Sequence, residues 1–248
     1  MWRSVRKWQG IVLVVATLVS TVWLALTNQL ILYIHPRYVV FTVIMAVLGL
    51  VFVVASFANK PDHDHDEPPK RWGAVVSGAA TVLTLVVAVG LVVVPPATLT
   101  VATADQRGIN STGVGIGAQN VSTAASAPTG TYAKFTVLDW SSLLRQTTDP
   151  SFYQNKTADV TGFISPDQTD PGNLFYVTRF VITCCAVDAQ PVGVPVYLSN
   201  WKTDFSANEW VRVEGDFDTN PSRTSQESIA LVPTDTTKVA QPSDPYLY

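Results

Sequence analysis

YVVFTVIMAVLGLVFVVASFAN, residues 38–59, holds no Asp, Glu, Lys or Arg in 22 positions. A helix needs about 20 apolar residues to cross a hydrocarbon core ~30 Å thick. A core helix of a soluble protein carries a polar stripe, and this stretch has none. Its Val, Ile and Thr would favour strands in water, but an open sheet edge cannot exist in lipid, so length decides. Residues 10–34 and 72–94 are equally free of formal charge, over 25 and 23 positions. The expectation is a membrane domain over residues 1–96 with three transmembrane helices, at 10–34, 38–59 and 72–94.

Composition agrees. The 248 residues are 47% hydrophobic and only 14% charged, against about 25% charged in average globular chains. Disorder would need the opposite balance. The net charge of -3 offers no basic excess, so nucleic acid is not an expected partner. Residues 1–96 carry seven Lys/Arg against four Asp/Glu, and residues 97–248 carry nine against fifteen. A weakly basic, apolar first part and an acidic second part read as a membrane anchor joined to a water-exposed domain.

Residues 10–34 exceed the apolar core of a cleaved secretory signal, and no Ala-x-Ala site closes them, so the first span is read as retained. Short-loop cations set orientation. Arg3, Arg6, Lys7, Lys60, Lys70 and Arg71 lie on one side, Arg37 and Arg107 on the other. The bias puts the N-terminus in the cytoplasm and residues 97–248 outside, a multi-pass cell-membrane protein. Ion-coupled transporters usually need intramembrane acids or bases. Three neutral spans do not move a charged solute alone; they can pack on a partner, and the small-residue pairs Gly73/Ser77 and Ala74/Gly78 suit such packing.

Pro95-Pro96 ends the third span. Residues 97–130, rich in Ala, Thr, Ser and Gly, read as a flexible linker. Residues 131–248 read as a small β domain. Residues 135–140 lead into Ser141-Ser142-Leu143-Leu144, a short helix with an Asp or Ser cap. Strands are expected at 156–164, 174–183, 193–198, 209–218 and 228–233. Leu174, Tyr176, Phe180 and Ile182 share one face, with Arg179 pointing away. Val211, Val213 and Phe217 share another, with Arg212, Glu214 and Asp216 toward water. Gly162 and Gly215 sit mid-strand, where glycine often marks a bulge or a barrel bend. The expected class is α+β: three transmembrane helices and an extracytoplasmic OB-like β-barrel of about five strands.

The chemistry concentrates in Thr183-Cys184-Cys185-Ala186-Val187-Asp188-Ala189-Gln190-Pro191, which holds both cysteines of the chain. Successive strand side chains point to opposite faces, so the two thiols share a site only if the backbone turns. Three readings stand: a buried reduced pair, a strained vicinal disulfide, or a soft-metal or redox site with Cys184, Cys185 and Asp188 as ligands for an ion such as zinc or copper. A complete zinc site needs three or four ligands. The outer domain has no His, so a site there is incomplete or shared. The same absence excludes a Ser-His-Asp triad in the domain, and no enzymatic activity is expected. Asp62-His63-Asp64-His65-Asp66-Glu67 reads as a solvated loop between spans two and three, with a compositional leaning toward divalent ions.

Two segments carry a family resemblance. Leu32-Tyr33-Ile34-His35-Pro36-Arg37, after the first span, resembles the Tyr-Ile-x-Pro turn of the YcgQ-like family of bacterial membrane proteins, described as permease subunits. Residues 179–194 resemble that family's Cys-Cys-x-x-Asp-Ala segment. The strands around Val160-Thr161-Gly162-Phe163 and Trp210-Val211-Arg212-Val213-Glu214-Gly215 are similar to its pattern. The resemblance covers most of 10–94 and 131–235. It implies that Cys184, Cys185 and Asp188 are the signature positions, and that the partners are the lipid bilayer and a larger multi-span permease. The functional expectation is an accessory, non-conducting permease subunit with a Cys-Cys metal or thiol site. The alternatives are a structural or assembly protein with inert cysteines and an extracytoplasmic thiol redox protein.

Overall fold

The computed structural model describes residues 2–58, 71–94, 97–111, 119–128 and 130–248. They form two compact units, Met1–Ala97 and Thr98–Tyr248. The first is helical: α1 (Trp2–Leu26), α2 (Pro36–Ala58) and α3 (Arg71–Val93). Asn28 ends the first helical run by taking a left-handed φ of 57°, a conformation asparagine tolerates. A short 3-10 turn, Leu30–Leu32, follows. His35 Nδ1 then accepts the Arg37 N–H at 3.2 Å, and Pro36 opens α2 at the position where its missing N–H costs nothing. Helix α1 packs against both α2 and α3, and Leu18 lies so close to Gly49 that a Cβ there would stand 3.1 Å from Leu18 Cδ1. Among the described residues, one helical stretch, Pro36–Ser56, is long and apolar enough to cross a membrane; Ile11–Leu26 and Gly78–Gly90 are apolar but shorter. The tract at residues 62–67 lies outside the described residues, as do the side chains at 73–77.

The second unit contains α4 (Val101–Arg107), α5 (Val121–Ala125), α6 (Val137–Gln146), α7 (Pro150–Tyr153) and six strands: β1 (Thr157–Pro166), β2 (Leu174–Val181), β3 (Gln190–Tyr197), β4 (Trp210–Thr219), β5 (Ile229–Lys238) and β6 (Tyr246–Leu247). They make one mixed sheet in the order β1-β4-β5-β3-β2-β6, and β1 also pairs with β2. The β3–β5 and β2–β6 pairs are parallel; the others are antiparallel. Strand β2 serves three neighbours by division of length: residues 175–178 face β1 and residues 180–181 face β6. The expected five strands are present with shifted ends, and β6 is an addition.

Glycine permits the two tightest approaches. A Cβ on Gly162 would lie 2.5 Å from the Thr178 carbonyl oxygen, and one on Gly215 only 2.3 Å from that of Val232. The second coincides with a register shift between Glu214 and Gly215, the bulge expected there.

Buried side chains from five strands and α6 form the core: Trp140, Leu143, Val160, Phe175, Val177, Val194, Val196, Val211, Val213 and Leu231 among them. Strand β4 alternates as its sequence indicates, Val211, Val213 and Phe217 inward and Arg212, Glu214 and Asp216 exposed. Strand β2 does not. The core takes Phe175, Val177 and Val181, and Leu174, Thr178 and Phe180 on the other face are buried too. That second face is covered by neighbours: Phe180 stacks on Phe163 at 5.6 Å and meets Tyr246 edge-on at 6.5 Å. Burial on both sides erases the period-two signal. Helix α6 starts at Val137, earlier than its apolar run suggests, because Thr136 and Asp139 form a reciprocal capping box; Asp139 is the partner within the box rather than the cap.

The stretch expected as a flexible linker, 97–130, differs in its described parts. Helix α4 buries Ala104 and α5 buries Ala124 completely. The Leu99 N–H donates to the Tyr246 hydroxyl at 3.0 Å, and the Val101 N–H to Asn208 Oδ1 at 3.1 Å. Small residues that look like a tether are here the ones that fit against a packed surface. Arg179, on β2, holds the last strand: Nε donates to the Pro245 carbonyl at 3.0 Å, Nη2 to those of Asp244 and, at 3.3 Å, Tyr246. Its guanidinium also lies 5.5 Å from the Trp210 ring.

Overpacking a closed site costs about 1–3 kcal/mol. Gly162→Ala and Gly215→Ala are each expected to lower the stability of the β unit by that amount in urea unfolding of the detergent-solubilised chain, followed by Trp fluorescence. Gly172→Ala, with nothing within 4 Å of its Cβ position, is the control and is expected to stay within about 0.5 kcal/mol of the parent.

Candidate metal centre

The signature segment is the connection between β2 and β3. Ile182 ends the strand by donating its N–H to Leu247 at 2.9 Å, and the Asp188 N–H returns to the Cys185 carbonyl at 3.0 Å. The chain therefore turns where two adjacent thiols would otherwise face apart. The turn is organised by the Asp188 carboxylate. Its Oδ2 accepts the Cys184 N–H at 2.7 Å, and its Oδ1 accepts those of Thr183 and Cys185 at 3.3 Å each.

The sulfurs of Cys184 and Cys185 stand 3.5 Å apart as free thiols. Cys184 is exposed and Cys185 half-buried, which departs from a buried structural pair. One ligand atom from each of Cys184, Cys185 and Asp188 falls within 4.8 Å of the others, and among the described residues they are the one such group. The expected residues are thus brought together, by a turn. Burial works to raise the Asp188 pKa, but hydrogen bonds from the Cys184 side chain and from the backbone of residues 183–185 outweigh it and hold the carboxyl below its usual range. The same carboxylate, and then the Cys185 thiol, push Cys184 up to about 11. At neutral pH Cys184 is a protonated thiol and a poor nucleophile, because the thiolate is the reactive form.

Two residues that the sequence did not connect with this loop brace it. Arg107 at the end of α4 donates from Nη1 to the Ala189 carbonyl. Asn110 makes a two-way bond with Gly193, Nδ2 to its carbonyl at 2.9 Å and Oδ1 from its N–H at 3.0 Å, while its own N–H reaches the Pro191 carbonyl at 3.0 Å. Gly193 is needed there, since a Cβ would lie 2.9 Å from Ile109 Cγ2. The only visible sequence signal at Asn110 is a glycosylation-type Asn-x-Thr, unrelated to this role. Elsewhere in the unit, a cleft of about 270 Å³ is lined by Asp105, Asp167, Tyr176 and Glu227 among others. Its polar groups serve the protein: Asp167 Oδ1 accepts from Thr169 and Asp170, and the Tyr176 hydroxyl donates to Glu227 at 2.8 Å.

Two family models match. The DUF1980 N-terminal domain covers residues 9–110 and the DUF1980 C-terminal domain residues 134–248. No curated protein matches the chain. The second match contains the whole cysteine turn, and the first extends across α4 to Asn110.

Hydrogen bonds to a charged group contribute roughly 1.5–3 kcal/mol. Asp188→Ala is therefore expected to speed amide exchange at Thr183, Cys184 and Cys185 by about tenfold or more, measured by NMR, with amides of β4 unchanged.

Proposed function

For this chain, which carries both DUF1980 domains, we propose the role of an accessory, non-conducting subunit of a membrane permease, whose outer β domain presents a soft-metal site at Cys184 and Cys185. The observation that carries this reading is the turn that gathers Cys184, Cys185 and Asp188 on an accessible loop. Thiolates suit soft ions such as zinc and copper.

The membrane half of the proposal is a three-span anchor, with α1 and α3 crossing beside α2 and the N-terminus in the cytoplasm. Large apolar side chains stand open on the helices, Phe52 at 73%, Val40 at 68% and Leu83 at 63% exposed, and such area calls for lipid or a partner helix. Thr17, Thr21 and Thr84 each return their hydroxyl to the carbonyl four residues back, at 2.9, 2.9 and 2.8 Å, which suits a solvent that offers no hydrogen bonds. The spans hold no formal charge, so conduction falls to a multi-span partner. The β unit fits an OB-like barrel: β1, β4, β5, β3 and β2 pair in a closed circuit, with β6 added on β2. Its acidic surface on the outer face of the membrane faces solute or partner.

The full chain in detergent is expected to take up one zinc or copper ion per molecule, and Cys184→Ser/Cys185→Ser to take up none, by elemental analysis after gel filtration. Uptake unchanged in the double variant would remove the metal role. Purified from its native membrane, the chain should bring down a multi-span protein; its isolation alone would remove the permease role.

A further inference from the structure

The proposed site names three residues, and their hydrogen bonds divide them into two kinds. Cys184 and Cys185 offer sulfurs that approach each other to 3.5 Å, and the Cys184 thiol also donates to the Asp188 carboxylate. The Asp188 carboxylate is already engaged, with three backbone N–H groups from consecutive residues. Of the roughly four acceptor positions of a carboxylate, these amides take three and the Cys184 thiol takes the fourth, so a metal seated on the oxygens competes with the bonds that shape the turn.

We propose, resting on the metal reading above, that Asp188 is a positioning residue and not a ligand. It fixes the backbone of residues 183–185 so that both sulfurs bind a tetrahedral d10 cation of the zinc class, leaving the remaining positions to exchangeable donors. The sulfur separation supports the geometry. Two thiolates at ~2.3 Å from zinc and a tetrahedral angle stand about 3.8 Å apart, whereas a linear arrangement needs about 4.6 Å. The observed 3.5 Å requires a small opening for the first and a large one for the second. As the two sulfur–zinc bonds form, each thiol loses its proton to solvent, so two protons leave per ion. With two protein ligands the coordination shell stays open, unlike the closed four-ligand shell of a structural zinc. The ion is therefore held for exchange with water or with a donor on another molecule.

The test compares wild type, Asp188→Asn and Asp188→Ala as full chains in detergent, with Zn(II) alone as the probe. Affinity comes from competition with a chromophoric chelator, and exchange at the amides of residues 183–185 is followed with and without zinc. Asparagine keeps a side-chain oxygen that accepts from the same turn but is a poor substitute for an anionic ligand. The expected result is binding retained in Asp188→Asn, a loss of about 10–100-fold in Asp188→Ala, as when a group orienting a ligand is removed, and amides in the wild type that stay protected when zinc binds. Equal losses in the two variants, or amides that exchange faster on zinc loading, would show the carboxylate moving to the metal and overturn the assignment while leaving the metal site intact. Failure of the wild type to bind zinc at all would overturn the metal reading itself.

Discussion

The β unit depends on strand β1 serving two neighbours at once, β4 along residues 157–163 and β2 along 163–166. A strand can change partners over so short a length only where a backbone is allowed to come very near another. Gly162, with the Thr178 carbonyl where its side chain would be, is that place. Gly215 does the same for the β4–β5 pair, and its bulge adds the local bend. With β1 so placed, β2 is fixed from both sides and ends at Val181, and the direction in which the cysteine turn leaves the sheet is set.

That turn is braced from a third direction. Asn110 bonds to Gly193 as a strand neighbour would, and Arg107 reaches the carbonyl of Ala189. Thus α4 and the residues after it belong mechanically to β3. The match of the DUF1980 N-terminal domain runs as far as residue 110, beyond the boundary of the compact helical unit at Ala97. The cysteine turn is therefore positioned by groups on both sides: Asp188 from within and α4 from outside.

Much of this was legible in the sequence because it depends on local pattern. Charge-free runs located α2 and α3 closely and α1 only in part, since that helix spans Trp2–Leu26 and not 10–34; alternation located β4, and a mid-strand glycine located the bulge. The thiol pair announced itself by composition, and the need for a turn followed from strand geometry. The errors have a common cause, which is contact with residues far away in the chain. The 97–130 stretch reads as a tether because its Ala and Thr have no periodicity, yet Ala104 and Ala124 are buried by partners found only in three dimensions. Strand β2 has its residues sorted onto faces as expected, but burial on both sides was not legible, because Phe163 of β1 and Tyr246 of β6 cover the side that water would otherwise reach. Strand β6 itself is two residues long, too brief for any periodicity.

Arg179 attaches that last strand through main-chain carbonyls at positions 244, 245 and 246. A guanidinium that reads carbonyl oxygens is indifferent to most of the side chains they belong to. Tyr246 is held to its identity by burial and by the Leu99 N–H on its hydroxyl, and Pro245 is buried as well, whereas Asp244 is exposed. A change of side chain at exposed position 244 leaves that carbonyl in place, whereas replacement of the single arginine removes its bonds to all three carbonyls at once and leaves the strand to its pairing with β2.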